Sequence, residues 1–343
     1  MLRETTTALP QRRRAPLGLG LILGLVVLGL AVVASMAVGA KGLPPSAVVD
    51  ALLQHDPANP DHVIVWEVRI PRTLIGVLAG AALGLAGAII QGVTRNPLAD
   101  PGILGVNAGA SLCIVAAISL AGIQSMTGYV WFAFLGAGLA AVLVYGIGSL
   151  GRDRATPLKI ALTGAACEAA FRSLTTGILV TDNATYEQFR FWQVGALAGR
   201  DSSVVTQALP FLVVGFVLAL ASARALNGLA MGDDVARGLG VHVNAGRALC
   251  ALAVVILCGT ATAMAGPIAF VGLMVPHAAR LITGPDHRWL LPYSMVLAPL
   301  VLLTADVVGR VLAQPGELQV GIVTAAIGAP VFIALVRRKR VRG

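Results

Sequence analysis

The sequence predicts an all-α, polytopic membrane protein with ten transmembrane helices and both termini cytoplasmic. Three observations lead there: 57% hydrophobic against 12% charged residues, a mean hydropathy of +0.84, and apolar runs that recur along all 343 residues. Soluble domains carry about 25% charged residues. A bilayer core about 30 Å thick takes about 20 apolar residues per spanning helix. Runs of this kind fall at 17–39, 73–92, 103–122, 129–149, 158–180, 204–223, 246–265, 268–282, 289–309 and 318–336.

The first run follows Arg12, Arg13 and Arg14, as a secretory signal would. Its stretch from Leu17 to Val38 exceeds the roughly 7–15 apolar residues of a signal core, so it reads as a span behind a basic cytoplasmic tail, 1–16. In the second run Gly76, Gly80 and Gly84 recur every fourth residue, which lines one helix face and predicts close packing against a neighbour. The NPLADPG loop that follows, Asn96–Gly102, is expected on the inner side. Runs three and four continue the pattern of 40 glycines with 5% aromatic residues, which favours a tight bundle over a wide pore.

The fifth run carries Glu168 and Arg172. Four residues apart with the acid first, they suit an intrahelical pair, while ionisable residues inside spans also mark conduction paths. Run six leads to Ala225–Arg247, the longest polar interruption. There Gly232 and Asp233 are placed to cap a short helix through Val235–Arg237, with Gly238 and Gly240 ending it before a second one. The interleaved Leu226, Leu229, Met231, Val235, Leu239 and Val241 suit a docking element, and a solvated connector is the other reading. Run eight, PIAFVGLMVPHAARL, is short and contains Pro276, so a broken or tilted helix is expected, with His277 hydrogen-bonded to a carbonyl freed by the proline. Run nine carries Asp306 and Arg310 at pairing distance, and run ten ends in a basic tail, 337–343. Residues 17–336 thus form one membrane domain, with 224–247 as its cytoplasmic insert.

A net charge of +9 and a pI near 10.1 admit nucleic acid or membrane topology as causes. With the N-terminus cytoplasmic, most of the 25 Lys and Arg residues fall on that same side, as the positive-inside rule demands. Topology and lipid therefore account for the charge, and nucleic acid is excluded as a partner. Cys113, Cys167, Cys250 and Cys258 all lie in apolar runs as packing residues, and no cluster has metal-ligand spacing. Catalysis finds little support, and a membrane enzyme is a weak alternative. None of Lys41, Lys159 and Lys339 follows a glycine, so there is no P-loop, and Ser173 and Ser222 lack a visible base. At the outer membrane boundary, Arg69-Ile70-Pro71-Arg72 places two guanidiniums three residues apart at a helix start. This suits either an acidic partner or snorkelling.

The stretch RIPRTLIGVLAGAALGLAGAIIQGVTRNPLADPGILGVNAGAS resembles the hallmark segment of the FecCD family of ABC-importer permeases. GPIAFVGLMVPHAAR and ADVVGRVLAQPGELQVGIVTAAIGAPVFIALVRRK are similar to that family's eighth-span motif and its last two spans, so the likeness runs from about Leu17 to Lys339. It implies a bacterial cytoplasmic-membrane permease paired with a second FecCD-type permease, either a paralogue or an identical copy. Two cytoplasmic ATPase subunits would hold ATP and Mg, leaving no cofactor or metal in this chain. An external binding protein would deliver the cargo, its glutamates meeting Arg69, Arg72 and Arg310. The coupling helices that enter the ATPase would be Gly232, Asp233, Asp234, Val235, Ala236, Arg237, Gly238, Leu239 and Gly240. The wording at Phe189–Asp201 and Asp286–Pro292 is closest to ferric siderophore permeases, the enterobactin type in particular. Haem and cobalamin permeases share the scaffold. An ion-coupled secondary transporter is the remote alternative, and it would need the intramembrane carboxylate chain that this sequence lacks.

Overall fold

A computed structural model describes residues 17–340, apart from 40, 124–125, 151–156, 241 and 315. The 1–16 tail, Arg152 and Arg154, Val241 and residues 341–343 of the basic C-terminal tail lie outside the described residues. All regular structure among the described residues is helical. In order these are α1 (Leu17–Ala37), α2 (Pro45–Leu53), α3 (Pro60–Val63), a π-helical segment (Ile64–Arg69), α4 (Ile70–Thr94), a 3-10 turn (Pro101–Leu104), α5 (Val106–Ala121), α6 (Met126–Gly148), α7 (Pro157–Thr181), α8 (Asn183–Gln193), α9 (Ser202–Ala221), α10 (Ala223–Ala230), α11 (Asp233–Gly238), α12 (Val243–Ala265), α13 (Val271–Thr283), α14 (His287–Leu312) and α15 (Val320–Arg340).

Every apolar run of the sequence forms a helix, and 6 helices are long and apolar enough to cross a membrane. The molecule is therefore a polytopic membrane protein. At its centre stands α4, buried on nearly every side by α14, α12, α13 and α9. Small residues make that position possible. A Cβ on Gly80 would sit 2.6 Å from Pro299 Cα, one on Gly84 would sit 2.5 Å from Ser294 O, and Gly76 faces Leu303 and Leu197. The glycine ladder thus lets the backbones of α4 and α14 touch, where dispersion between helices replaces the hydrophobic drive that lipid removes.

At about 1.5 Å rise per residue, α5 and α13 span only about 24 and 20 Å, short of a bilayer core of about 30 Å. Each is preceded by non-helical chain. The segment before α5 was expected at the inner surface, yet Pro101 packs on Gly272, which itself lies against Leu83 in the middle of α4. The loop therefore climbs from the end of α4 to its mid-height. It satisfies its own backbone on the way: Asn96 Oδ1 accepts from Leu98 N at 3.0 Å and Asp100 Oδ1 from Gly102 N at 2.8 Å. Irregular chain is tolerated at membrane depth only where its polar groups are paired in this way.

The eighth run differs from expectation in where it breaks. Chain 266–270 is non-helical, Phe270 sits in the left-handed region, and α13 then runs unbroken through Pro276. Ala196 N donates to Ala265 O at 2.8 Å and Gly321 N to Gly195 O at 3.1 Å, so the segment after α8 and the first turn of α15 pack beside this turn. The helix pair of the 224–247 insert also shifts. α10 precedes α11, and the chain beyond Gly240 leads straight into α12.

Candidate functional site

Among the described residues, polar clusters interrupt the apolar bundle beside the start of α4, in its middle and beside its C-terminal end, where α12 and α14 begin. Beside the start of α4, Arg69, Arg72 and Arg310 come together, but none offers a free guanidinium. Their exposures are 4%, 5% and 2%. Arg310 donates to Ser35 O at 2.9 Å, to Val38 O at 2.5 Å and to Ser35 Oγ at 2.9 Å. Arg69 donates to Met36 O and Lys41 O. These carbonyls belong to the last turn of α1 and the chain just beyond it, groups that a helix end leaves without partners. Asp306 lies between two of the arginines, 2.8 Å from Arg72 Nη2 and 2.8 Å from Arg310 Nη2, while Glu317 meets Arg72 Nη1 at 2.6 Å. Arg69 and Arg310 therefore hold the end of α1, while Arg72 joins α4 to α14 through Asp306. The expected Asp306–Arg310 pair forms, with Arg72 as a third member.

In the middle of the bundle, α4 crosses α13 at Gly87 and Gly272, where any Cβ on Gly87 would overlap Gly272 O. Pro276 has no N–H to give Gly272 O, and its ring also crowds the carbonyls of the preceding turn. Gln91 Nε2 donates to Leu273 O at 2.9 Å and Gly272 O at 3.4 Å, and Gln91 Oε1 accepts from Arg280 Nη1 at 3.2 Å. Gln91 thus serves carbonyls that Pro276 leaves free. It carries no motif signal, because its partners lie on a helix far along the chain.

On α7, Glu168 Oε1 and Arg172 Nη2 pair at 2.8 Å beside an exposed face that carries Ala165, Ala169, Ser173 and Thr176 together with the apolar Leu162 and Val180. Such a face is unsuited to lipid, where a charged side chain costs several kcal/mol.

At the C-terminal end of α4, Arg95 caps the helix with a left-handed backbone, φ 50°. Its Nε donates to Leu229 O of α10 at 2.7 Å, and its Nη2 meets Asp233 of α11 at 2.5 Å. Arg247 of α12 reaches the other oxygen of Asp233 at 3.0 Å. Partial burial opposes ionisation of Asp233, but the Arg95 hydrogen bond and the charges of Arg247, Arg95 and Arg237 outweigh it and hold the carboxyl below the usual range. The clasp is therefore fully charged at neutral pH. On the opposite side, Asn227 of α10 donates to Asp286 Oδ1 at 2.7 Å and accepts from His287 N at 2.9 Å at the start of α14. The Asn227 bond, then that from Arg288 N, keeps the Asp286 pKa low.

Leu229, Ala236 and Val243 pack beneath α11. Gly232, with φ 104°, turns the chain into α11. Of the apolar residues noted there, Leu226 and Leu229 are buried, whereas Met231, Val235 and Leu239 stand exposed at four-residue spacing. Asp234 and Arg237 pair at 3.0 Å beside them, and Gly238 and Gly240 close the element. The result is a rigid insert, fastened to three helices, with an uncovered apolar face.

Comparison with known proteins gives this architecture its context. The ferric enterobactin transport system permease protein FepD of Escherichia coli (strain K12) is 48% identical over 316 residues, covering 92% of this chain and 94% of that protein. A siderophore transport system permease protein of Bacillus subtilis (strain 168), YfiZ, is 43% identical over 312 residues, covering 91% and 93%. Relatives named for cobalamin and hemin import also align. A solved metal-chelate type ABC transporter in an inward-facing conformation superposes with a TM-score of 0.82 at 28% identity, covering 94% of this chain and 99% of that one. The FecCD transport family matches residues 26–338, so the chain belongs to that family and is a permease subunit of an ABC importer, with ATP hydrolysis left to a separate subunit.

Proposed function

We propose that this permease carries a ferric siderophore of the catecholate type across a bacterial cytoplasmic membrane. In this reading ten helices span the bilayer, both termini are cytoplasmic, and a second FecCD-type permease completes the pathway. The observation that carries the docking side of the proposal is the exposed Met231, Val235 and Leu239 face on an insert fastened to three helices. An uncovered apolar face on a charged cytoplasmic loop suits a protein partner, here the ATPase subunit. Residues 232–240 are then the coupling element, and nucleotide-driven closure of the ATPases pushes on it.

Of the three outer arginines, Arg72 is the one a binding protein reaches most readily, because its partner Glu317 is partly exposed. An incoming glutamate would take the place of Glu317. Arg69 and Arg310 then serve docking indirectly, by fixing the surface around it. The polar face of α7 is assigned to the aqueous pathway between the two permeases, since water or protein accommodates Glu168 and Arg172 and lipid does not.

The 48% relative named for ferric enterobactin supports the cargo class. The test is ATP hydrolysis by the reconstituted complex, stimulated with its binding protein loaded in turn with ferric catecholates, ferric hydroxamates, haem and cobalamin. The proposal predicts the strongest stimulation by a ferric catecholate. Maximal stimulation by haem or cobalamin would overturn the cargo while leaving the importer intact.

A further inference from the structure

We propose that Arg95 is the positioning residue through which motion of the insert reaches α4. The inference rests on the reading of 232–240 as the ATPase contact.

Its backbone is the first indication. Arg95 is one of two non-glycine residues with positive φ among the described residues, and a left-handed backbone costs an L-residue stability unless its surroundings fix it there. Glycine is the ordinary residue at such a helix end. What the arginine contributes is its side chain. The same guanidinium donates to Leu229 O in the last turn of α10 and pairs with Asp233 at the first position of α11. Two adjacent helices of the insert are thereby joined to the end of α4 by one planar group. Lysine, a single ammonium on a flexible stem, lacks that fork geometry.

The arrangement also has a direction. Arg247 holds the second oxygen of Asp233 from α12, so the carboxylate is fixed from two sides. A displacement of α11 must either carry the end of α4 with it or separate Arg95 from Asp233. Along α4, the same rigid helix packs on α14 through Gly80 and Gly84 and crosses α13 at Gly87. Motion delivered at Arg95 therefore reaches the middle of the bundle through contacts that leave no slack. Neither the apolar docking face nor the outer arginines explain why α4 should end in this residue.

The experiment uses the complete transporter in proteoliposomes, with uptake and ATP hydrolysis measured together. Arg95→Gly suits the left-handed backbone and removes only the side chain. The proposal predicts that this variant assembles with the ATPase and hydrolyses ATP, while cargo moved per ATP falls about fivefold or more. Arg95→Lys, which keeps the charge and loses the fork, should fall between the two, and it decides on the same readout if the glycine variant does not assemble. Wild-type coupling in the deciding variant would overturn the role of Arg95. Val235→Asp, at the exposed docking face, separates the two readings. If it abolishes ATPase binding while Arg95→Gly couples normally, only the Arg95 proposal fails; if it leaves ATPase binding intact, the docking assignment fails as well.

Discussion

Asp306 is a single carboxylate buried between two guanidiniums, 2.8 Å from each, and it decides how the outer end of the molecule is held. Both arginines are needed elsewhere, Arg310 at the carbonyls ending α1 and Arg72 at Glu317. Replacing one partner of a buried ion pair typically costs about 3–5 kcal/mol, because the remaining charge is left uncompensated. Asp306→Leu is expected to lower the thermal unfolding temperature of the purified permease markedly and to loosen α1, whereas a wild-type temperature would show that the cluster is not structural. The sequence indicated the Asp306–Arg310 pair through its four-residue spacing. It did not indicate that Arg69 and Arg310 converge on the end of α1, since carbonyl partners leave no trace in residue identity. Gln91 was illegible for a related reason: its role depends on carbonyls exposed by Pro276, far away in the chain.

At the scale of elements, hydropathy located all the long helices, because a run of about 20 apolar residues has few alternatives in a bilayer. The short ones were harder. α2, α3 and α8 are amphipathic or brief, and their stability comes from docking on the bundle, which periodicity does not register. The shortness of α5 was also hidden, since the chain before it is apolar enough to continue a run, whereas that of α13 showed in the brevity of run eight. α7 is long, but its exposed Glu168, Arg172 and Ser173 set it apart from a lipid-facing helix such as α9, where Val213 is exposed. A cysteine at Ser173 should therefore react with a membrane-impermeant thiol reagent in the assembled transporter, and one at Val213 should not. Equal labelling at the two positions would remove α7 from the pathway.

For the whole molecule, the arrangement is a division of mechanical roles along α4. Its outer end is locked to α1 and α14 by buried charge, its middle is sealed against α13 and α14 by glycine contacts, and its inner end is joined to the insert. That matches a permease whose energy comes from another subunit. The measurement that tests this most directly is uptake of a radiolabelled ferric catecholate into proteoliposomes containing the permease pair, ATPase and loaded binding protein. The account predicts accumulation that requires ATP on the ATPase side and persists when ion gradients are collapsed. Accumulation without ATP, driven by an imposed ion gradient, would contradict it.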